Sequence, residues 1–349
     1  MTQVRCAFQI DRLVIGGSGG RFPGFLGALY KLRPHIKNTR HFVGVSAGSL
    51  ISTLLAMGCT AKQIMLQEKV LPFRLHFHWI VLAIWQFFRY GNGLIPNSEL
   101  RSYITSVLEH MRPQSSTWTF EQLYNTYGST LEIQAFEWQS GNRIVFNRQN
   151  TPKALLLDAV TASSSIPFVF SPFEYEGKIL CDSAIYSGII WSSLFWRQSK
   201  FMPVIDQNGE RMQNPLTIGL VLSDDEDPDP DPEPDSPTDD DNKASDSSSW
   251  ASSILSFCLP SSPPLKEEDT HKNSWSWWRL FTLSSHVLRQ EEYGHESNCE
   301  NLIRIRVDTQ IHGGIWNSLW IGESEKRQLF IQGKKDAVKW LEANSKRLS

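Results

Sequence analysis

The stretch HFVGVSAGSLISTLLAM, residues 41–57, contains the arrangement that decides the fold. It begins as a short apolar strand, passes through Gly44-Val45-Ser46-Ala47-Gly48, and continues as an apolar helix. This order is typical of a nucleophile elbow, where a serine lies on a turn so tight that its neighbours can hardly carry side chains. The stretch therefore predicts an α/β fold with Ser46 as candidate nucleophile. The alternative is a glycine-rich helix start that Ser46 caps.

A second strand–glycine–helix unit precedes the elbow. Residues 6–15, CAFQIDRLVI, end in an apolar run typical of a buried strand. They lead into GGSGGRFPG, residues 16–24, in which Pro23 suits the first turn of a helix. Glycines between a strand and a helix expose several backbone N–H groups, which favours binding of a phosphate or an oxyanion. No GK[ST] follows and no acidic residue stands about twenty residues on, so the P-loop and dinucleotide patterns are absent.

The second candidate catalytic residue lies in EGKILCDSA, residues 176–184. A Gly-Lys turn leads into a short apolar strand that ends at Asp182, which makes this carboxylate a candidate general base. The alternative is an Asx cap at the start of a loop. Asp158, within the helical pattern of residues 152–165, is interpreted as a charge on a polar helix face or in the first turn of the helix.

Composition limits the function classes. The 349-residue chain has a formal net charge of −3, which offers no electrostatic case for nucleic acid. Its five cysteines show no metal-ligand spacing, so we expect neither a zinc site nor a disulfide framework, and a reducing cytoplasm is the simplest compartment. The first twelve residues contain no apolar signal segment. Thirteen tryptophans indicate interfaces, including a membrane surface, or a core filled with large rings.

Several segments are interpreted by composition. Residues 70–90 are too interrupted for a membrane span and predict a buried helix or an interfacial lid. From residue 224 to 248 the chain is rich in Asp and Pro, which predicts a disordered acidic insertion. Residues 250–259 and 275–283 are short and aromatic, which favours docking at a membrane interface.

The remaining patterns predict ordinary elements. Residues 99–111 predict a helix that Asn97 or Ser98 caps, and Thr119 to Gln122 form a capping box. Residues 131–147 predict a β-hairpin. Further strands are predicted at 215–223 and 302–307, and a final helix at 322–343.

These motifs resemble those of the patatin-like phospholipase family, which has a G-G-G-x-[RK]-G loop, a G-x-S-x-G nucleophile and a D-G-[GA] motif. AVTASSSIPFVFSP, residues 159–172, is also similar to the family's Ala/Ser-rich helix end and Pro-containing turn. The likeness covers residues 8–60 and 150–190 well and residues 302–341 more loosely. It implies a three-layer α/β/α fold with a mostly parallel central sheet, a catalytic domain over residues 6–223 and 300–345, and an insertion at 224–299.

The resemblance also implies a function. The chain is expected to be a serine lipid acyl hydrolase of the phospholipase A or lysophospholipase type, with a Ser46–Asp182 dyad and no metal or cofactor. Arg21 is expected to orient the loop or to meet a lipid phosphate. Expected partners are a phospholipid or other acyl-ester lipid, a membrane surface and a protein activator. The expected location is cytoplasmic and peripheral to membranes, and non-classical secretion leaves no readable mark. The oxyanion hole is expected from Gly17, Ser18, Gly19 and Gly20.

Two positions depart from the family pattern and keep an alternative open. Phe22 stands in place of the loop's final glycine, and Ser183 in place of the glycine after the aspartate. If either position needed a positive φ, a bulkier residue would cost of order 1 kcal/mol or more. The alternative function is a catalytically impaired family member that binds a membrane or a protein partner.

A Ser–His–Asp esterase is a further alternative. It would need one of the late histidines, and the early position of the elbow disfavours it. The candidate histidines are His286, His295 and His312.

Overall fold

The computed structural model describes residues 8–67, 93–167, 169–183, 217–224, 302–307 and 321–345. The strands are β1 (Arg12–Ile15), β2 (His41–Val45), β3 (Thr130–Glu137), β4 (Arg143–Asn147), β5 (Phe173–Tyr175), β6 (Lys178–Cys181), β7 (Thr217–Asp224) and β8 (Leu302–Val307). The α-helices are α1 (Pro23–Ile36), α2 (Ala47–Ala56), α3 (Ala61–Gln67), α4 (Asn97–Met111), α5 (Phe120–Tyr127), α6 (Leu156–Ser164) and α7 (Glu323–Asn344).

All eight strands in the described ranges belong to one sheet. Its order is β5-β6-β3-β2-β1-β7-β8, and β4 also pairs with β3. Neighbours among β3, β2, β1, β7 and β8 are parallel, whereas β4, β5 and β6 add antiparallel pairs at one end. The prediction of an α/β fold with a mostly parallel central sheet is confirmed. Because the carboxyl ends of parallel strands meet at one edge, the segments that follow β1 and β2 lie side by side there.

The helices α1 and α2 cover the same face of the sheet. The parallel register places Gly44, Ile15 and Leu220 in one row across three neighbouring strands. The start of α2 touches Gly44, and the start of α1 touches Ile305, which lies on the same face. The other face carries Val14, Val43 and Val45, and these are buried as well. Both faces of the sheet are therefore covered, as the expected three-layer arrangement requires.

The last helix packs directly on the first. A Cβ added to Gly27 of α1 would lie 2.0 Å from the carbonyl oxygen of Phe330, and one added to Gly333 of α7 would lie 1.9 Å from that of Gly24. The two backbones therefore approach so closely that only glycine fits at these positions. Because α1 begins directly after the glycine-rich loop, its contact with α7 holds the end of that loop in place.

One strand begins later than predicted, and α4 begins two residues earlier, at Asn97. The strand predicted from residue 6 is a strand only from Arg12, because Ile10 donates its N–H to the carbonyl of His35 and accepts a hydrogen bond from Thr39 instead of joining a sheet neighbour. Asn97 does not cap α4. Pro96 holds the cap position without a side-chain hydrogen bond, and the Asn97 amide bonds elsewhere, as described below.

Other local predictions agree with the structure. Thr119 and Gln122 form a reciprocal capping box at the start of α5. The predicted hairpin forms from β3 and β4, which pair antiparallel. The strand before Asp182 and the final helix are also present, as β6 and α7.

Several predictions fall on residues outside the described ranges. They concern the interfacial segment at 70–90, the acidic stretch after Asp224 and the aromatic segments at 250–259 and 275–283. The boundaries of the catalytic domain and of the insertion stay predictions. Within the described ranges, every helix is too short or too polar to cross a bilayer.

Candidate active site

Ser46 occupies a strained turn between β2 and α2. Its φ of 54° and ψ of −129° are rare for a residue with a side chain and cost of order 1–3 kcal/mol. A Cβ on Gly44 would lie 2.5 Å from the Cα of Ser49, and one on Gly48 would lie 2.3 Å from the carbonyl oxygens of Ile15 and Gly16. The predicted elbow is present, and its two glycines are required by the close approach of neighbouring backbone.

Ser46 and Asp182 lie in direct contact at the edge of the sheet. The Ser46 Oγ donates a hydrogen bond to Asp182 Oδ2 at 2.5 Å, although 136 residues separate the two in sequence. Ser46 is 4% exposed and Asp182 is 0% exposed. A short hydrogen bond from a hydroxyl to a buried carboxylate places the acceptor where a general base for that hydroxyl has to be.

The main chain of both residues is held by the end of α6. The Ser46 N–H donates to Ser163 Oγ at 2.9 Å, and the Ser163 hydroxyl donates in turn to the Gln134 carbonyl at 2.6 Å. The Asp182 N–H donates to the carbonyl of Ser165 at 2.9 Å. Ser163 and Ser165 lie in the Ser-rich segment that the sequence singled out, but nothing in the sequence indicated that they contact Ser46 and Asp182.

Asn97 supports the same turn from α4. Its amide nitrogen donates to Ser165 Oγ at 2.8 Å and to the carbonyl of Ser171 at 3.0 Å. The Ser165 hydroxyl donates to the Thr161 carbonyl at 2.7 Å. The segment beside Asp182 is therefore hydrogen-bonded to two helices.

The glycine-rich loop lies beside the elbow. The carbonyl of Gly16 touches Gly48 at the start of α2, and the loop then forms a short 3₁₀ turn at Gly19–Arg21. Gly19 adopts a φ of 53°, which favours glycine. Ser18 is buried, and its hydroxyl has no hydrogen-bond partner among the described residues. Arg21 ends the 3₁₀ turn and is partly buried.

The two departures from the family pattern do not require unusual backbone. Phe22 has φ −55° and ψ −20°, which any residue adopts. Ser183 is not among the described non-glycine residues with positive φ. The backbone strain expected if these positions needed glycine is therefore absent.

Two thiols are buried, one beside Asp182 and one after the end of α2. Burial raises the pKa of the Cys181 thiol well above its usual range, and the negative charge of the adjacent Asp182 raises it further. Burial also raises the pKa of Cys59, an effect that Arg112 partly opposes. Both groups stay protonated, so neither is a strong nucleophile.

The sequence raised the question of three further kinds of candidate group: a metal site, the Asp158 carboxylate and a catalytic histidine. In the described ranges, His, Cys, Asp and Glu side chains form no group of three or more that could hold a metal ion. Asp158 is a partly buried charge in the first turn of α6 and forms an ion pair with Arg101 of α4. The three late histidines of the esterase alternative lie outside the described residues.

Comparison with known proteins identifies the relatives of the chain. The sequence model of the family described as patatin-like phospholipase matches residues 13–195, which include both Ser46 and Asp182. The chain is 25% identical over 179 residues to the probable lipid hydrolase 463L of Invertebrate iridescent virus 6. It is 26% identical over 182 residues to the uncharacterised protein R571 of Acanthamoeba polyphaga mimivirus. These alignments cover 50% of this chain but only 60% and 58% of the two viral proteins.

Solved structures give a weaker likeness. VipD from Legionella pneumophila superimposes with a TM-score of 0.48 and 14% identity, over 96% of this chain and 67% of that one. The type III effector ExoU of Pseudomonas aeruginosa gives a TM-score of 0.42 and 13% identity, over 97% and 54%. Similarity at this level says nothing about activity.

Proposed function

Because the chain belongs to the patatin-like phospholipase family, we propose that it is a serine lipid acyl hydrolase that cleaves fatty-acyl esters through Ser46 and Asp182. The observation that carries the proposal is the 2.5 Å hydrogen bond from Ser46 Oγ to Asp182 Oδ2 on a strained elbow. A serine becomes a good nucleophile when an adjacent base takes its proton during attack. The buried carboxylate of Asp182 is placed for that role.

The reaction proceeds in two steps. In the first, Ser46 Oγ attacks the ester carbonyl while Asp182 accepts the hydroxyl proton. Asp182 then protonates the leaving alkoxide, so the alcohol half departs and the acyl group stays on Ser46. In the second step Asp182 takes a proton from water, the resulting hydroxide attacks the acyl-enzyme, and the fatty acid is released as Ser46 regains its proton.

The negative charge that develops on the carbonyl oxygen has to be stabilised by hydrogen-bond donors, and we assign these to the glycine-rich loop. The Ser46 N–H is already bonded to Ser163 and the Gly16 N–H to Leu220, so neither is free for this task. The proposed donors are the N–H groups of the next four residues, and losing one such donor typically lowers the rate about 10²–10³-fold. These residues are Gly17, Ser18, Gly19 and Gly20.

The substrate class is proposed to be phospholipids or other acyl-ester lipids, of the phospholipase A or lysophospholipase type. The name of the iridescent virus relative, a probable lipid hydrolase, supports this class. Arg21, at the end of the loop, is proposed to orient it or to meet a lipid phosphate. Because a lipid substrate is met at a membrane surface, we also propose peripheral association with membranes, together with the cytoplasmic location and the protein activator that were expected from the sequence.

The alternative of a catalytically impaired family member rested on backbone strain at two positions, and that strain is absent. It assumed that Phe22 or Ser183 replaces a glycine that has to adopt positive φ, and neither residue does so. The family's activity is therefore the better supported proposal for this chain.

Labelling with a fluorophosphonate probe tests the proposal. The wild-type protein is expected to be labelled, whereas Ser46→Ala is expected to show no labelling. Asp182→Asn is expected to slow labelling and the hydrolysis of phospholipid vesicles about 10²–10⁴-fold, since it removes the general base.

The matched control is Asp158→Asn, which removes a partly buried carboxylate of the same type that is paired with Arg101 in the first turn of α6. It is expected to keep the wild-type labelling rate. Labelling that persists in Ser46→Ala, or that is lost equally in both aspartate variants, would contradict the proposal.

A further inference from the structure

One turn of α6 contacts the main chain of both candidate catalytic residues. Ser163 Oγ accepts the Ser46 N–H at 2.9 Å, and the Ser165 carbonyl accepts the Asp182 N–H at 2.9 Å. Ser163 and Ser165 are both 0% exposed, so no solvent competes for these bonds. The separation between Ser46 and Asp182 therefore depends on the position of a single turn of helix.

The hydroxyl of Ser163 has a defined direction. It donates its proton to the carbonyl of Gln134 at 2.6 Å, so the bond with Ser46 uses an oxygen lone pair. Gln134 is the register partner of Val45, the residue directly before Ser46. Ser163 thereby joins the elbow, which follows β2, to the neighbouring strand β3.

This contact falls at the most strained backbone of the site. Ser46 has positive φ, and such a conformation persists only where surrounding contacts over-determine it. Without the Ser163 hydroxyl the Ser46 N–H would lose the acceptor that the structure gives it, and a buried N–H without a partner costs free energy. The backbone would then be free to rotate toward a conformation that satisfies this N–H, and the Ser46 hydroxyl would move with it.

We propose that Ser163 is a positioning residue of the Ser46–Asp182 pair, which holds the nucleophile's main chain through Oγ and touches no substrate. The inference rests on the proposed function. The Ser165 carbonyl holds the aspartate in the same way, and Asn97 donates to the hydroxyl of the same residue. As a backbone group, this carbonyl cannot be removed by substitution. The Ser163 hydroxyl is therefore the group whose removal tests this positioning role.

The first test measures labelling and turnover. Ser163→Ala is expected to lower the fluorophosphonate labelling rate and kcat on the order of 10²-fold, with KM unchanged, because small misplacement of a nucleophile costs that much. Ser163→Thr, which keeps a hydroxyl, is expected to recover most of the rate per folded molecule. If Ser163→Ala fails to fold, Ser163→Cys fills the same volume with a weaker acceptor and is expected to slow labelling in the same direction.

The matched control is Ser164→Ala, which removes a hydroxyl one residue away. Ser164 Oγ makes no hydrogen bond with another described residue, and the variant is expected to stay within about twofold of wild type. Equal losses in Ser163→Ala and Ser164→Ala, or unchanged labelling per folded molecule in Ser163→Ala and Ser163→Cys, would overturn the inference.

A second measurement does not depend on activity. Hydrogen exchange of the Ser46 amide is expected to be slow in the wild type and at least about tenfold faster in Ser163→Ala, or in Ser163→Cys if the alanine variant does not fold, with amides inside α2 unaffected. Unchanged protection of the Ser46 amide would refute the positioning role even if turnover fell. Conversely, a wild-type protein that is neither labelled nor active would refute the proposed function, while exchange would still decide whether Ser163 holds the elbow.

Discussion

Cys181 and Asp182 are adjacent, and both are completely buried at the end of β6. The pKa of the Cys181 thiol is raised by burial first and by the charge of Asp182 second. The fold therefore favours the protonated thiol. Because only the unfolded chain ionises this thiol near its ordinary pKa, its contribution to stability is present below that pKa and is lost as the pH rises above it.

This environment predicts that Cys181 resists alkylation. At a pH of about 8.5, where a free thiol is half ionised, iodoacetamide is expected to leave Cys181 unmodified in the folded protein and to modify it in urea. Peptide mass spectrometry measures the modified fraction of Cys181 in the folded protein and in urea. The proposed reactivity of the site then belongs to Ser46 and not to the neighbouring thiol.

A positive control is Ser140→Cys, which places a thiol on an exposed turn between β3 and β4. This thiol is expected to react readily in the folded protein. If Cys181 reacted at the same rate as the introduced thiol, the prediction that burial and a raised pKa protect Cys181 would be wrong.

At the scale of elements, the chain reverses direction after α4 through a turn that one carboxylate organises. Glu109 accepts hydrogen bonds from the Ser116 hydroxyl and from the backbone N–H groups of Gln114 and Ser116. These bonds, the Ser116 hydroxyl first, lower the pKa of Glu109. A carboxyl group with a lowered pKa stabilises the fold above its unfolded pKa, and the contribution is lost as the pH falls through the folded value.

Replacing this carboxylate should change how stability depends on pH. Glu109→Gln is expected to lower the urea midpoint at neutral pH, and its difference from wild type is expected to shrink below a pH of about 4. Urea unfolding at neutral and at acidic pH measures this.

The control for this prediction is Glu174→Gln, on the exposed side of β5. It is expected to leave the midpoint nearly unchanged at both pH values. A constant difference between Glu109→Gln and wild type across the pH range would show that the carboxylate charge is not what organises the turn.

At the scale of the molecule, the last described helix packs against the first. The helix α7 packs on α1 through glycines whose added Cβ atoms would overlap backbone. Asp336 of α7 also accepts hydrogen bonds from the backbone and the guanidinium of Arg306 in β8. The contact therefore joins the first helix, the last strand and the last helix.

Gly333→Ala tests this contact. Inside a helix, Gly to Ala normally stabilises by about 0.5–1 kcal/mol. Here an added methyl group would lie 1.9 Å from the Gly24 carbonyl oxygen, so the substitution is expected to destabilise by about 1–3 kcal/mol despite the gain in helix propensity. Thermal or urea unfolding measures the change.

The comparison variant is Lys335→Ala, an exposed position on the same helix. It is expected to change the free energy of unfolding by less than about 0.5 kcal/mol. A stabilised Gly333→Ala would mean that α1 and α7 are not packed backbone to backbone.

Local patterns in the sequence determined much of this protein. The elbow around Ser46, the strand that ends at Asp182, the hairpin and the Thr119 capping box all depend on residues close together in the chain, so their patterns are readable without the fold. The α/β class followed from the strand–turn–helix order, whereas the mostly parallel central sheet was implied by the resemblance to the family.

Only the tertiary structure decided which groups support the site. Ser163 holds Ser46 across 117 residues, Asn97 reaches Ser165 across 68, and α7 meets α1 across some three hundred. Serine, asparagine and glycine are common, and nothing in their neighbours marks a distant partner. Such contacts arise from the packing of whole elements, which periodicity and motif spacing do not encode.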